Sequence, residues 1–166
     1  MKNIQTKNIT NNLVNKYLFF KNLHINRIYS SNKKKIKKLD HYLWWFTEQK
    51  KRRSTLILSN NIPLLISTTD HFKFKNNEYI YSGLLSCVEK TNLFDFLTGI
   101  KIQNIFLNKQ KKSYCFISIH KRNKVLMYHW KYFGYRSLKK NNKLYARLKK
   151  FVNLNQNLNV FYKKIK

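Results

Sequence analysis

Carboxylates are scarce in this chain of 166 residues, which has six Asp and Glu against 35 Lys and Arg and a formal net charge of +29. None lies in the first 39 residues and none follows Asp95. A packed domain cannot neutralise such a field from within, so we expect a polyanionic partner. Because acid–base and metal chemistry commonly use carboxylates, their scarcity also argues against both.

Alanine, glycine and proline are almost missing, with one, three and one residues, while there are 22 asparagines. Lys, Asn, Ile, Phe and Tyr have A/T-rich codons, whereas Ala, Gly and Pro need G/C-rich ones. This bias is typical of A/T-rich organelle genomes and predicts a protein encoded and made in a mitochondrion. The first twenty residues lack the pattern of a signal or transit peptide, as this localisation requires. Cys87 and Cys115 are too few for a disulfide framework, which favours a reducing compartment.

Long hydrophobic runs and catalytic motifs are missing as well. The longest apolar stretch, residues 55–69, is interrupted by Asn60, Asn61 and Pro63, so we expect no membrane span. The sequence has no HExxH or CxxC spacing, no Gly-x-Ser-x-Gly elbow and no glycine-rich phosphate loop. The histidines without such a motif are His24, His41, His71, His120 and His129. These absences predict a protein that is not an enzyme and that holds no metal or cofactor.

The sequence does contain enough apolar material for a core, since 43% of its residues are hydrophobic and 16% are aromatic. The polyanionic partner could be a membrane surface, an acidic protein or a nucleic acid. An anionic membrane is usually met by one polybasic stretch or one amphipathic helix. Here basic residues occur in predicted helices, strands and loops alike, interleaved with aromatic residues. This distribution favours phosphates and exposed bases, and RNA over DNA.

Three segments follow from the pattern: a basic extension (1–38), a helix plus short-strand extension (39–90) and an α+β RNA-binding domain (91–166). Residues 39–53 read as a helix whose apolar face docks on the domain or, as an alternative, stacks on bases. Residues 55–58 and 64–67, with Asn60 and Asn61 between them, read as a hairpin or two strands. Pro63 predicts that the second of these strands lies at a sheet edge. Residues 73–81 read as another short strand, followed by a break at Gly83. The apolar face of the helix consists of Leu39, Tyr42, Leu43, Trp45 and Phe46.

The last segment predicts the order α-β-α-β-β. Asn92 and Asp95 begin a helix whose buried stripe is Leu93, Phe94, Leu97, Ile100 and the stem of Lys101. Residues 113–119 alternate as a strand. Residues 122–133 return to helical spacing and stop at Gly134. Residues 135–139 and 143–152 then read as a β-hairpin across Asn141 and Asn142.

This order resembles the N-terminal half of the family of small-subunit ribosomal protein eight of bacteria and organelles. The family opens with Asp-x-Leu-Thr-x-Ile-basic, which corresponds to the heptapeptide Asp-Phe-Leu-Thr-Gly-Ile-Lys at 95–101. The later strand, helix, Gly-aromatic step (Gly134 and Tyr135) and hairpin complete the match within residues 91–152. The resemblance implies a primary binder of the central domain of small-subunit ribosomal RNA.

Clusters of cations are the candidate RNA-binding site. The cluster at the start of the second helix ranks first, because cations there oppose the helix dipole and a bound phosphate would relieve the repulsion. The candidate residues are Lys33, Lys34, Lys35, Lys37, Lys38, Lys109, Lys111, Lys112, Lys121, Arg122, Lys124, Arg136, Lys139, Lys140, Arg147, Lys149 and Lys150.

The sequence therefore predicts a structural, rRNA-binding constituent of the small subunit of a mitochondrial ribosome. Its expected partners are ribosomal RNA and neighbouring ribosomal proteins, with no small-molecule substrate. Three alternatives stay open: an accessory subunit of a mitochondrial respiratory complex, a fragment of a nucleic-acid enzyme such as a maturase or nuclease, and a ribosomal protein of another family.

Overall fold

The computed structural model of the protein describes residues 3–30, 33–48, 52–74, 77–90, 93–110, 113–154 and 156–165. Helices and strands occur throughout this part of the chain. The strands are β1 (Ile4–Asn8), β2 (Arg52–Ser59), β3 (Ile62–Phe74), β4 (Asn77–Ser86), β5 (Ser113–His120), β6 (Arg136–Ser137) and β7 (Leu158–Lys164). The helices are α1 (Val14–Lys21), α2 (His24–Ile28), α3 (Lys38–Glu48), α4 (Leu93–Asn108), α5 (Lys124–Tyr132) and α6 (Lys143–Lys149).

All seven strands lie in one sheet, in the order β1-β2-β3-β4-β5-β7-β6. Neighbours are antiparallel except β4 and β5, which run parallel because α4 connects them. Strands from each of the three predicted segments belong to this sheet. The α+β class is thus confirmed. No helix in the described ranges is long and apolar enough to cross a membrane.

Alternating side chains give the sheet two apolar faces. One face packs on α4 and α5 through residues such as Ile80, Cys115 and Ile117. The other packs on α1 and α3 through Leu56 and Ile66. Towards α6, this second face carries a separate cluster built around Tyr79, Phe116 and Leu148. The sheet is therefore covered on both sides, and the strands β2 to β5 and β7 contribute to both.

The predicted β2–β3 hairpin is present. Asn60 and Asn61 both have positive φ (50° and 66°), which a tight two-residue hairpin turn requires and which Asn tolerates. The prediction that Pro63 marks an edge strand was wrong, since β3 lies between β2 and β4. Pro63 is accommodated because it pairs with Leu58 at a register shift, where the ladder is already interrupted. The strand predicted at 73–81 is instead the end of β3 and the start of β4.

The predicted hairpin at 135–152 was also wrong. Only Arg136 and Ser137 are extended, and residues 143–149 form α6. The Asn142 side chain accepts a hydrogen bond from Leu144 N (2.8 Å), which is a helix N-cap, and Leu148 is buried one turn after Leu144. The order α-β-α-β-β is therefore not observed, and β7 pairs with β5.

In two helices, the residues that are buried differ from those that the apolar spacing predicted to be buried. In α3, Trp45 is buried, but Leu39, Leu43 and Phe46 are exposed. In α4 the first turn is exposed at Leu93 and Phe94, whereas the buried residues are Gly99, Ile100, Gln103, Asn104 and Leu107. Both helices carry apolar residues on more than one face, so periodicity alone did not identify the buried one.

Gly99 sets how closely α4 approaches β3. A Cβ at this position would lie 2.0 Å from Leu65 Cδ1 and 3.1 Å from Leu65 Cγ, and Leu65 is fully buried. Such overpacking costs about 1–3 kcal/mol. An alanine would recover only about 1 kcal/mol of helix propensity.

We therefore expect Gly99→Ala to lower the free energy of unfolding by about 1–2 kcal/mol net, measured by urea denaturation. In a Leu65→Val background the same substitution should cost less, because the clashing methyl group is gone. A Gly99→Ala protein as stable as the wild type would show that α4 does not pack this tightly.

Candidate active site between the fourth and fifth strands

The two parallel strands separate halfway along their length. β4 and β5 pair from Glu78 with Ser113 to Ser82 with Ile117. Beyond this point β4 continues to Ser86 without pairing with the described residues of β5. The end of β5 pairs only with β7 on its other side, up to His120. A gap therefore opens in the middle of the sheet.

Asn26 of α2 keeps the end of β4 apart from β5. Its side-chain amide donates to Ser86 O (2.7 Å) and to Phe20 O (2.6 Å), while its Oδ1 accepts from Ser86 N (2.8 Å). Asn26 thus bonds the peptide groups of Ser86 as a neighbouring strand would. The helix that carries it is fixed by Glu89, whose carboxylate accepts from His24 N (2.8 Å) and Ile25 N (3.1 Å).

The peptide groups of Leu84 face the gap. Peptide groups of a strand point alternately to its two sides. Cys87 N donates to Leu64 O of β3 (2.9 Å), whereas Ser86 bonds to Asn26 on the other side. Leu84 is two residues from both Ser82 and Ser86, so its N–H and C=O point to the same side as theirs, towards β5. At this level the two strands no longer pair.

A cavity of about 670 Å³ occupies the gap and is lined from both faces of the sheet. On the side of α4 and α5 its wall is largely apolar. That wall includes Leu93, Phe96, Gln103, Leu126 and Trp130. On the opposite side the wall is polar. It includes Arg52, Thr68, Tyr81, Ser118, His120 and Tyr29. The cavity thus joins an apolar and a polar half through the sheet.

Arg52 is fixed at the polar end by a bidentate ion pair with Asp70. Its Nε and Nη2 donate to the two carboxylate oxygens at 2.6 and 2.5 Å. Burial opposes the charge of the guanidinium, but the hydrogen bonds and charge of Asp70 outweigh it and raise the pKa of Arg52. The guanidinium also lies 5.4 Å from the ring centroid of Trp44. Arg52 is therefore a permanent, oriented cation.

Tyr81 and Ser118 share a hydrogen bond between their hydroxyl groups across the gap. Burial raises the pKa of Tyr81, so its phenol stays neutral. His120 Nδ1 accepts a hydrogen bond from Arg122 N (3.3 Å). The neutral ring therefore carries its proton on Nε2. Its ring contacts Tyr29 at a centroid distance of 5.8 Å.

Lys21 lies behind Trp44, with its Nζ 4.1 Å from that ring centroid and 5.4 Å from the Tyr17 ring centroid. Burial, followed by the positive charge of Arg52, lowers the pKa of Lys21 to about 8. An amine beside Arg52 thus loses its proton much more easily than an amine in water. Burial raises the pKa of Cys87 to about 12 and that of Cys115 to about 11, so neither thiol is an activated nucleophile.

The predicted RNA-binding cations do not form the cavity. Those that the structure describes are exposed, apart from Arg147, which lies 5.0 Å from the Phe74 ring centroid and donates to the Tyr79 hydroxyl (3.5 Å). Lys111 and Lys112 lie outside the described residues. Near the start of α5, the lining residues His120 and Asn123 are close in sequence to the predicted cations Lys121, Arg122 and Lys124. RNA contact by these side chains stays a prediction.

Sequence reasoning missed the residues that form the gap. His120 was recognised only as a histidine without a motif. Asn26 gave no signal, because it acts on Ser86, sixty residues away. Gly83 was read as the end of a strand, although it lies inside β4 next to the level where pairing with β5 stops. A glycine within a strand pattern often marks a close approach of another chain or ligand, and this was the one usable signal.

Comparisons with solved structures identify the fold of the chain. No family model and no curated protein matches the sequence. Solved structures do match along nearly the whole chain. An N-acetyltransferase from Staphylococcus aureus has a TM-score of 0.67 at 11% identity and covers 99% of both chains. An acetyltransferase of the GNAT family from Streptococcus pneumoniae has a TM-score of 0.65 at 7% identity, over 99% of this chain and 100% of that one. The yncA protein of Salmonella typhimurium, with its cofactor acetyl-CoA, has a TM-score of 0.64 at 6% identity, over 98% and 94%.

These matches overturn the ribosomal interpretation. The resemblance to small-subunit ribosomal protein eight was wrong, because its α-β-α order is only the α4-β5-α5 part of a larger sheet that matches acetyltransferases instead. The predictions of a ribosomal RNA partner, of a respiratory accessory subunit, of no enzymatic activity and of no small-molecule substrate fall with it. The chain has the fold of the GNAT acetyltransferases.

Proposed function

We propose that this protein is an acyl-CoA-dependent N-acyltransferase, which transfers an acyl group from a coenzyme A thioester to an amine. The observation that carries the proposal is the cavity between β4 and β5, which is apolar on one face of the sheet and polar on the other. A transferase needs two substrates to meet in line, and this cavity offers a differently lined half for each. The fold shared with the Staphylococcus aureus N-acetyltransferase supports the same function.

The residues present fit the acyl-bearing arm of coenzyme A. This arm carries amide groups, and the N–H and C=O of Leu84 face the gap where a strand partner is missing. An extended amide chain can bond to such an open strand as an added strand does. Lys90 borders the same cavity, and its positive charge favours the phosphates at the other end. When bound, the thioester supplies the activated acyl group.

The polar half suits an acceptor amine. Asp70 is paired with Arg52 and Glu89 caps α2, so the carboxylates near this half, within the described ranges, already have partners. The amine must therefore become neutral without a carboxylate base. The side chain of Lys21 provides an example, because burial and the charge of Arg52 lower its pKa. The same effects would favour the neutral, nucleophilic form of an acceptor amine beside Arg52.

His120 can stabilise the leaving sulfur by a hydrogen bond. Its Nε2–H is available because Nδ1 accepts from Arg122 N. The proton that the amine loses when the amide forms goes to the thiolate of coenzyme A. The neutral Tyr81–Ser118 hydroxyl pair can hydrogen-bond the acceptor at the point where the strands part. Arg52 orients any polar group next to the amine.

Gly83→Val tests the cleft. A Cβ on Gly83 would lie 2.9 Å from Thr68 Oγ1, so the substitution is made in a Thr68→Ala background, with Thr68→Ala alone as the matched control. Valine suits a strand but fills the polar half of the gap next to residue 68, so we expect the KM for the acceptor amine to rise by about tenfold or more while acetyl-CoA binds as before in calorimetry. Equal KM in the two variants, or a wild-type protein that does not bind acetyl-CoA, would contradict the proposal.

His120→Phe tests the chemistry. Phe keeps an aromatic ring but has no hydrogen-bond donor, so acetyl-CoA should bind as before while kcat falls by about 10²–10³-fold. CoA release with a series of primary amines provides the assay. In the wild type, the pH dependence of kcat should report an apparent pKa below that of the free amine. A His120→Phe protein with normal kcat would remove this residue from the mechanism.

A further inference from the structure

An apolar stripe runs along the outer face of α3. Leu39, Leu43 and Phe46 are 68%, 58% and 59% exposed. Their spacing of four and three residues places them on one side of the helix. Aliphatic and aromatic side chains so exposed in a row are unusual on the surface of a water-soluble protein.

The opposite side of α3 is fixed, so this stripe cannot turn inward. Trp45 is 2% exposed and its indole N–H donates to Asn11 Oδ1 (2.9 Å). His41 is 1% exposed, with Nε2 3.2 Å from Val14 O. Both anchor α3 to the segment around α1. The outward direction of Leu39, Leu43 and Phe46 is therefore a fixed feature of the fold.

A run of lysines is held next to the stripe. The segment before α3 is pinned at Ile36, whose N–H donates to Asn22 Oδ1 (2.8 Å) and whose carbonyl accepts from Asn22 Nδ2 (2.9 Å). Lys33, Lys35 and Lys37 are exposed along this pinned segment, immediately before α3 begins. Positive charge thus lies beside the apolar stripe in a defined position.

A further apolar side chain belongs to this surface. The Tyr42 hydroxyl of α3 donates to Asn15 Oδ1 of α1. Phe19 lies one turn after Asn15 on the same side of α1 and is 62% exposed. The surface therefore spans two helices and combines four exposed apolar side chains with lysines.

We propose that this α3 surface (Phe19, Leu39, Leu43 and Phe46, with Lys33, Lys35 and Lys37) docks the protein on a bilayer that contains anionic lipids. Apolar side chains that enter the acyl boundary, next to lysines that meet lipid headgroups, are the chemistry of an interfacial helix. A nucleic acid would use the lysines but not the aliphatic stripe. A second copy would bring two lysine runs together on a chain that already carries +29.

Vesicle sedimentation tests the docking surface. The full chain is mixed with vesicles of phosphatidylcholine alone, or of phosphatidylcholine and phosphatidylglycerol in equal amounts. We expect binding to the anionic vesicles only, and a loss of about tenfold or more in Leu43→Gln/Phe46→Gln, because both apolar anchors are removed without a change in charge. Tyr128→Gln/Tyr132→Gln is the matched control, since these side chains are 72% and 80% exposed on α5. It should bind as the wild type does.

Several outcomes would overturn the proposal. Equal binding of the Leu43→Gln/Phe46→Gln variant and the wild type would show that charge alone attracts the protein to the vesicles. An equal loss in the Tyr128→Gln/Tyr132→Gln control would show that the α3 surface is not specific. A wild-type dimer in size-exclusion chromatography that the α3 variant converts to a monomer would assign the face to a second copy. Binding of RNA, but not of anionic vesicles, that the α3 variant weakens would assign it to nucleic acid.

Discussion

The separation of two parallel strands is the constraint on which the rest of the structure depends. β4 and β5 stop pairing after Ser82 and Ile117, and the peptide groups of Leu84 then face a cavity. A buried peptide group that lacks a partner costs about 1–3 kcal/mol. The fold limits this cost, because Asn26 bonds to Ser86 and β7 covers the other side of β5. What remains is a short stretch of open strand that an extended ligand can complete.

The six carboxylates have a different meaning from the one suggested by composition. Their scarcity was taken as evidence against an enzyme. In the structure Asp70 fixes Arg52, Glu89 caps α2 and Glu78 lies 3.2 Å from His71, so these three serve architecture. Acyl transfer from an activated thioester needs a neutral amine, and a hydrogen-bond donor for the leaving sulfur, rather than a pair of carboxylates. An environment that lowers amine pKa values, as at Lys21, supplies the first without an acidic residue.

The sequence predicted those elements that local chemistry determines. The Asn60–Asn61 turn, the alternation in β5 and the stop of α5 near Gly134 all follow from a few adjacent residues, and all are present. α6 and β7 were missed, because the amphipathic pattern of α6 is only two turns long and β7 is recognisable only through its pairing with β5. The cavity could not be predicted, since it depends on where pairing ends. The α-β-α order of residues 93–132 is common to many folds, which explains the misleading ribosomal resemblance.

The central claim is that the open stretch of β4 receives the acyl-bearing arm of coenzyme A, and hydrogen exchange tests it directly. On addition of saturating acetyl-CoA, the amide of Leu84 should exchange more slowly. The amide of Cys87, which already bonds to Leu64 O at 2.9 Å, should change little. Unchanged exchange at Leu84, or protection confined to the lysine-rich surfaces, would contradict the account.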